Sequence, residues 1–204
     1  MIGKRLRVGP VDTNCYILED DQAHQAAVVD PGGDAPEIIR NLEDAELRYI
    51  LLTHGHYDHT GGVAELARAF PQAKVYIHKK DVRSVDLNLF PLSTQVSDLN
   101  FYDEGDTISF GDIRIRVLHT PGHSEGSVTL RCGNLLLSGD TLFAGTCGRT
   151  DFPGGSMAKM MASLRRLGQM GEDMRICPGH LGLSTLGAEL ARNPYLRQAM
   201  GFAP

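Results

Sequence analysis

Residues 53–62 read Thr-His-Gly-His-Tyr-Asp-His-Thr-Gly-Gly, directly behind the apolar run Tyr49-Ile50-Leu51-Leu52. In extended chain, residues i and i+2 project to the same side, so His54 and His56 can converge on one cation. Gly55 between them lets the backbone turn tightly. Asp58 and His59 lie past the bend and aim elsewhere, which suits a second cation close to the first. From Val63 onward, Val63, Leu66, Ala67 and Phe70 recur at helical spacing, so a helix follows. The local order is strand, ligand loop, helix.

Three further strand-like runs end the same way. Ile113, Ile115 and Val117 alternate with Arg114 and Arg116 and lead into His119-Thr120-Pro121-Gly122-His123. Leu135-Leu136-Leu137 leads into Ser138-Gly139-Asp140, and Met174-Arg175-Ile176-Cys177 into Pro178-Gly179-His180. Loops at strand ends are where a rigid scaffold presents reactive groups. Four such loops carrying five His and two Asp point to one shared site.

The chain has 204 residues, 42% of them hydrophobic, enough for one ample core, so residues 1–204 are expected to form a single domain. A formal net charge of -5 argues against a nucleic-acid groove, and the locally basic start (Lys4, Arg5, Arg7) reads as a solvated edge strand. An apolar run of about 18 residues, as a membrane span needs, is lacking, as is a signal-type apolar segment after the N-terminus, so a cytoplasmic location without a membrane partner is expected. Cys15, Cys132 and Cys177 sit in or beside strand-like runs as reduced, buried thiols would, whereas Cys147 stands in a polar loop where it could touch a substrate.

Strands are expected at 3–8, 14–19, 26–30, 49–53 and 74–78, with helices at 35–44 and 60–70, the first of them N-capped by Asp34. A second set of strands follows at 107–110, 113–119, 127–132 and 134–138, and helices at 156–168 and 184–192 flank a strand at 174–177. Hairpins in each half imply an α+β fold of two sheets packed face to face with helices outside. Residues 86–106 follow neither period; they read as a substrate-covering loop or as a connection tucking Leu89, Phe90 and Leu92 onto the core. His24 and His78 lack neighbouring ligands in the sequence, His119 has a packing or supporting role, and Met157, Met160 and Met161 read as core packing.

The series Thr53-His54-Gly55-His56-Tyr57-Asp58-His59, then His123, Asp140 and His180, resembles the metallo-β-lactamase superfamily over essentially the whole chain. The resemblance implies an αββα sandwich of two mixed β-sheets with outer helices. It assigns His54, His56 and His123 to one metal and Asp58, His59 and His180 to a second, with Asp140 bridging them. Two divalent ions are implied, zinc first, while iron or manganese suits the same donors because the set has no cysteine. Water held between two such cations has its pKa lowered toward ~7 and serves as nucleophile, with Asp58 placed to orient it.

Within the superfamily, Thr120-Pro121-Gly122-His123-Ser124-Glu125-Gly126-Ser127 and Ser138-Gly139-Asp140-Thr141-Leu142-Phe143 are similar to short glyoxalase II-like hydrolases. That resemblance implies hydrolysis of a small thioester of the hydroxyacylglutathione kind. The chain departs from full-length glyoxalase II in two places. It has Arg149-Thr150-Asp151 where that family carries a Lys-x-Tyr pair, and it stops soon after Asn193-Pro194-Tyr195-Leu196-Arg197, without the C-terminal helical domain. Arg149 is a candidate contact to an anionic substrate group, or else a salt-bridge partner of Asp151. Flavo-diiron proteins carry Glu where His56 stands. Lactam hydrolysis through a cysteine ligand is disfavoured by His59 and Asp140.

Cys147-Gly148-Arg149-Thr150-Asp151-Phe152 also resembles persulfide dioxygenases, which hold a single iron through the positions of His54, His123 and Asp140. The continuation Phe152-Pro153-Gly154-Gly155 favours the hydrolases. A non-catalytic metal-binding module is the third reading. The sequence leaves the oligomeric state open.

Overall fold

Burial along the strands alternates where one face meets water and is continuous where both faces are covered, and this pattern sets four layers. The structure, a computed structural model, describes residues 3–82 and 86–202. The first sheet holds β1 (Lys4–Val8), β2 (Thr13–Asp20), β3 (Gln25–Val29), β4 (Glu46–Leu51), β5 (Lys74–His78) and β6 (Leu99–Tyr102), in that spatial order. β1, β2 and β3 pair antiparallel, whereas β3 to β6 pair parallel. Parallel pairing needs crossovers. They run through α1 (Ala35–Leu42), through α2 (Tyr57–Thr60) with α3 (Val63–Ala69), and through the segment that carries the short α4 (Leu92–Gln95).

The second sheet comes from the other half of the chain: β7 (Thr107–Phe110), β8 (Ile113–His119), β9 (Val128–Cys132) and β10 (Leu135–Gly139). After the small hairpin β11 (Leu142–Phe143) and β12 (Thr146–Cys147) comes α5 (Met157–Gly168), and β13 (Arg175–Pro178) then joins beside β10 in parallel. β14 (Ser184–Thr185) closes that edge, and α6 (Leu186–Arg192) and α7 (Pro194–Met200) follow. Both sheets are mixed, and the architecture is the αββα sandwich that the sequence implied.

Tyr16, Leu18, Val29 and Leu51 from the first sheet meet Ile115, Val117, Leu130 and Leu137 from the second in the central core. Ile17, Val28, Ile50 and Ile77 pack outward on Ile38, Leu42, Val63 and Leu66 of α1 and α3. Leu136 and Ile176 pack on Met160, Leu164, Leu186 and Leu196 of α5, α6 and α7. Each fully buried aliphatic side chain of this kind contributes about 1.5–3 kcal/mol.

Several expectations shift. Asp34 precedes α1 but makes no side-chain cap; its backbone is left-handed (φ 49°), and its carboxylate accepts from Gly9 N at 2.8 Å instead. The helix expected at 60–70 is two pieces, interrupted at Gly61 and Gly62. Residues 86–106 contain α4 and β6, both too short to display a period, and bury Phe90 and Leu92. α7 extends the expected last helix through Asn193, which caps it by accepting from Tyr195 N and Leu196 N. Met160 is in the core, but Met157 is exposed. Cys147 packs against the outer helical core, and burial pushes its thiol up to about 11. His78 does have imidazole company: its ring stacks on His119 with centroids 4.5 Å apart, joining the two sheets.

Candidate metal centre

β8 and β10 each pair antiparallel with β9, and β10 pairs parallel with β13, so β8, β10 and β13 all point the same way. His123, Asp140 and His180 follow their C-terminal ends. The loop after β4 reaches the same place from the opposite sheet. Val128 N donates to Thr53 O at 2.8 Å, and Asn14 N to Gly179 O at 2.7 Å, so backbone bonds fasten the sheets together beside the site.

All seven side chains singled out in the sequence converge there. Ring nitrogens of His54, His56 and His123 form one tight group, and Asp58, His59 and His180 form another. Asp140 lies between them, with Oδ2 3.5 Å from His123 Nε2 and 3.7 Å from His180 Nε2, and Oδ1 3.4 Å from His59 Nε2. Asp58 Oδ2 is 3.2 Å from His180 Nε2.

Hydrogen bonds fix which nitrogen each ring offers. Thr53 Oγ1 donates to Asp30 Oδ2 and is therefore an acceptor for His54 Nδ1–H at 3.2 Å, leaving His54 Nε2 bare. His123 Nδ1–H donates to Arg149 O at 2.8 Å, leaving Nε2 bare. Asp30 Oδ2 lies 3.1 Å from His59 Nδ1, and its charge favours a proton on that outer nitrogen. Outer partners of this kind set the tautomer of a metal-binding imidazole.

The donor set fits a cation on its own terms. His54 Nε2 and Asp140 Oδ1 are buried without a hydrogen-bond partner. His56 Nδ1 faces His123 Nε2 across 2.8 Å, and His59 Nε2 faces His180 Nε2 across 3.3 Å. Buried lone pairs aimed at one another are costly unless a positive centre is shared between them. Burial, then neighbouring imidazoles, pushes His54 well below its ordinary value and His56 down to about 3, so both rings are neutral and able to ligate. Burial pushes the other way at His59, yet Asp140 and Asp30 prevail and raise it. Burial would raise Asp58, but the hydrogen bond from His180 and the charge of His59 hold it below the usual carboxylate range.

Two buried carboxylates that sequence reasoning passed over hold this arrangement. Asp30, in left-handed backbone (φ 52°), accepts from Thr53 N at 2.8 Å and from Thr53 Oγ1 at 2.7 Å. Asp81 accepts from Gly55 N at 3.0 Å, Ser124 Oγ at 2.7 Å and Gly126 N at 2.6 Å, and so ties the His54–His56 loop to the His123 loop. Asp30 had a signal: it ends a strand at a Gly turn, as Asp140 does. Asp81 had none, because its partners are 26 and more positions away along the chain.

Gly55 serves by leaving space. A Cβ there would lie 2.8 Å from Asp81 O and 3.0 Å from a Phe90 ring carbon, so the glycine lets the loop press onto its neighbours. A Cβ on Gly179 would stand 2.5 Å from Asp140 Oδ1 and 2.6 Å from His59 Cε1.

Above this floor opens a cavity of about 360 Å³, with Val11, Tyr57, Leu89, Phe143 and Phe152 on its walls. Phe143 is held from behind: Asn193 Nδ2 donates to Phe143 O and Thr146 O, and Glu189 Oε2 accepts from Gly145 N. Arg149 lines the mouth and forms a two-pronged ion pair with Asp151, Nε to Oδ1 at 2.7 Å and Nη2 to Oδ2 at 2.6 Å. Among the described residues, none forms a helix long and apolar enough to cross a membrane.

Comparison with known proteins agrees with this geometry. The hydroxyacylglutathione hydrolase GloC of Haemophilus influenzae is 32% identical, over 90% of this chain and 92% of its own. The crystal structure of TTHA1623 in a di-iron-bound form superposes with a TM-score of 0.81 at 33% identity, covering 94% of this chain and 99% of that one. ETHE1 from Myxococcus xanthus superposes at 0.77 with 28% identity, covering 95% and 84%. The family model of the metallo-β-lactamase superfamily matches residues 8–180. With its sandwich of mixed sheets and its His and Asp clusters suited to divalent metal ions, the chain belongs to the metallo-β-lactamase superfamily.

Proposed function

We propose that this protein is a dinuclear metal-dependent hydrolase that cleaves a small acyl thioester. The observation that carries the reading is the pair of three-residue ligand groups with Asp140 between them at the floor of one cavity. His54, His56 and His123 would hold one divalent ion, Asp58, His59 and His180 the other, and Asp140 would touch both. The ions, zinc in the first place, would supply an activated water and a Lewis acid for the substrate carbonyl.

The chain's own residues do the rest. Asp58 is half-buried and ionised, and its carboxylate accepts a hydrogen bond from the attacking water and orients it toward the acyl carbon. The water oxygen bonds to that carbon and the C–S bond breaks; one water proton goes to the departing thiolate sulfur, giving the free thiol, and the other stays on the new carboxylic acid, which releases it to solvent. Phe143 and Phe152 exclude bulk water around the reacting atoms. The thioester class is supported by the similarity to GloC along nearly the full length of both chains.

A second reading is a persulfide dioxygenase using one iron on His54, His123 and Asp140. What favours it is that Arg149 and Phe152, from the stretch resembling those enzymes, both line this cavity. Elemental analysis of the purified protein, with assays on S-lactoylglutathione, a chromogenic β-lactam and a persulfide, separates the readings. About two metals per chain with thioester turnover abolished in His56→Ala is the expected result. Lactam turnover alone, or one iron with oxygen uptake on the persulfide, would overturn it.

A further inference from the structure

The cavity wall carries information about the substrate that the floor does not. Val11 and Tyr57 are each 45% exposed at the mouth, and Leu89 and Phe152 continue the same apolar surface down to the ligand groups. Exposed apolar side chains gathered around a polar floor mark where an apolar part of a ligand rests. Among the described residues lining the cavity, Arg149 is the one positively charged side chain outside the ligand set.

The charge of Arg149 is already met. Asp151 takes its Nε and one Nη, and the guanidinium carbon stands over the Phe152 ring, 4.0 Å from its centroid, so the cation rests against the wall. Arg149 and Asp151 together contribute no net charge. A thiol carrier with two free carboxylates, as in glutathione, therefore meets an apolar rim and a cation that must first give up a carboxylate. The exchange gains little, because one carboxylate merely replaces another in an exposed pair.

Building on the hydrolase reading, we infer that the substrate is a thioester whose acyl and thiol arms are uncharged and at least partly apolar. The aliphatic or aryl arm packs on Phe152, Leu89 and Val11 while the carbonyl reaches the floor. Asp151 acts as the specificity-determining residue, since it withholds Arg149 from anionic substrates.

The test uses the metal-loaded full chain with two probes, the N-acetylcysteamine thioester of butyric acid and S-lactoylglutathione. The neutral ester should be favoured in kcat/KM by about tenfold or more, the scale on which apolar subsites discriminate. Asp151→Asn should shift the ratio of the two kcat/KM values toward S-lactoylglutathione by about threefold, the scale of one exposed ion pair. Phe152→Ala should shift it the same way, through the KM of the neutral ester. A preference of the unsubstituted enzyme for S-lactoylglutathione, or a ratio of the two kcat/KM values that Asp151→Asn leaves unchanged or moves toward the neutral ester, would overturn the inference while leaving the hydrolase intact. Failure of the loaded enzyme to turn over either ester would overturn the hydrolase reading, and the inference with it.

Discussion

The floor of the cavity and its rim are built by different means. On the floor, outer ring nitrogens rest on buried or backbone groups: His54 is hydrogen-bonded to Thr53 and His123 to the Arg149 carbonyl, and His59 stands 3.1 Å from the Asp30 carboxylate. The rim rests on side chains such as Val11 and Tyr57, which meet solvent, and on one ion pair whose members are 56% and 66% exposed. A site so divided can keep its reaction while its substrate changes. The floor is over-determined, so a change there costs chemistry; the rim is lightly held, so a change there costs preference.

The largest effect is expected from Asp140→Asn. The substitution removes a charge that both ligand groups share, and thioester hydrolysis should fall to background with loss of at least one bound metal, read by elemental analysis. A metal-replete variant with near-normal turnover would show that the floor is not the reacting part.

Asp81→Asn comes next. It keeps an acceptor but turns an NH₂ group toward one of three donors, Gly55 N, Ser124 Oγ or Gly126 N. Metal affinity in a competition titration should drop about 10–100-fold, the usual cost of an outer partner. Burial also raises the Asp81 carboxyl above its ordinary value. The folded chain then holds a proton that the unfolded chain has released, so stability attributable to Asp81 falls as pH rises from the ordinary carboxyl value through the raised one. The variant lacks that titrating group, and its unfolding free energy should show a shallower fall across the same window. The smallest effect is expected at the rim: Val11→Ala removes two methyl groups from a half-exposed surface and should raise KM by about threefold or less, with kcat nearly as before.

What was legible in the sequence follows the same division. His54, His56, Asp58 and His59 share one loop, and His123, Asp140 and His180 each end a strand at a Gly turn, so local pattern sufficed to collect them. The sandwich was legible because β8 alternates and β10 opens on three consecutive leucines. Asp81 was hidden because its meaning lies in three donors brought from other loops. The rim was legible only in pieces: Arg149 and the segment carrying Leu89 stood out as possible substrate contacts, but Val11 did not, and only folding makes these three distant connections neighbours. β6 and α4, four residues each, are too short to repeat either period clearly.

Each ligand group draws on both sheets: His54 and His56 face His123, and Asp58 and His59 face His180. A cation held by either group would act as a rivet through the sandwich, present in the folded chain and lost from the unfolded one. Stability then becomes a matter of mass action. At a free metal concentration about a hundred times the dissociation constant, one such rivet adds about 2.7 kcal/mol. The melting temperature of this protein should accordingly climb with the logarithm of metal supply, so that its persistence in a cell would track metal availability even when no substrate is present.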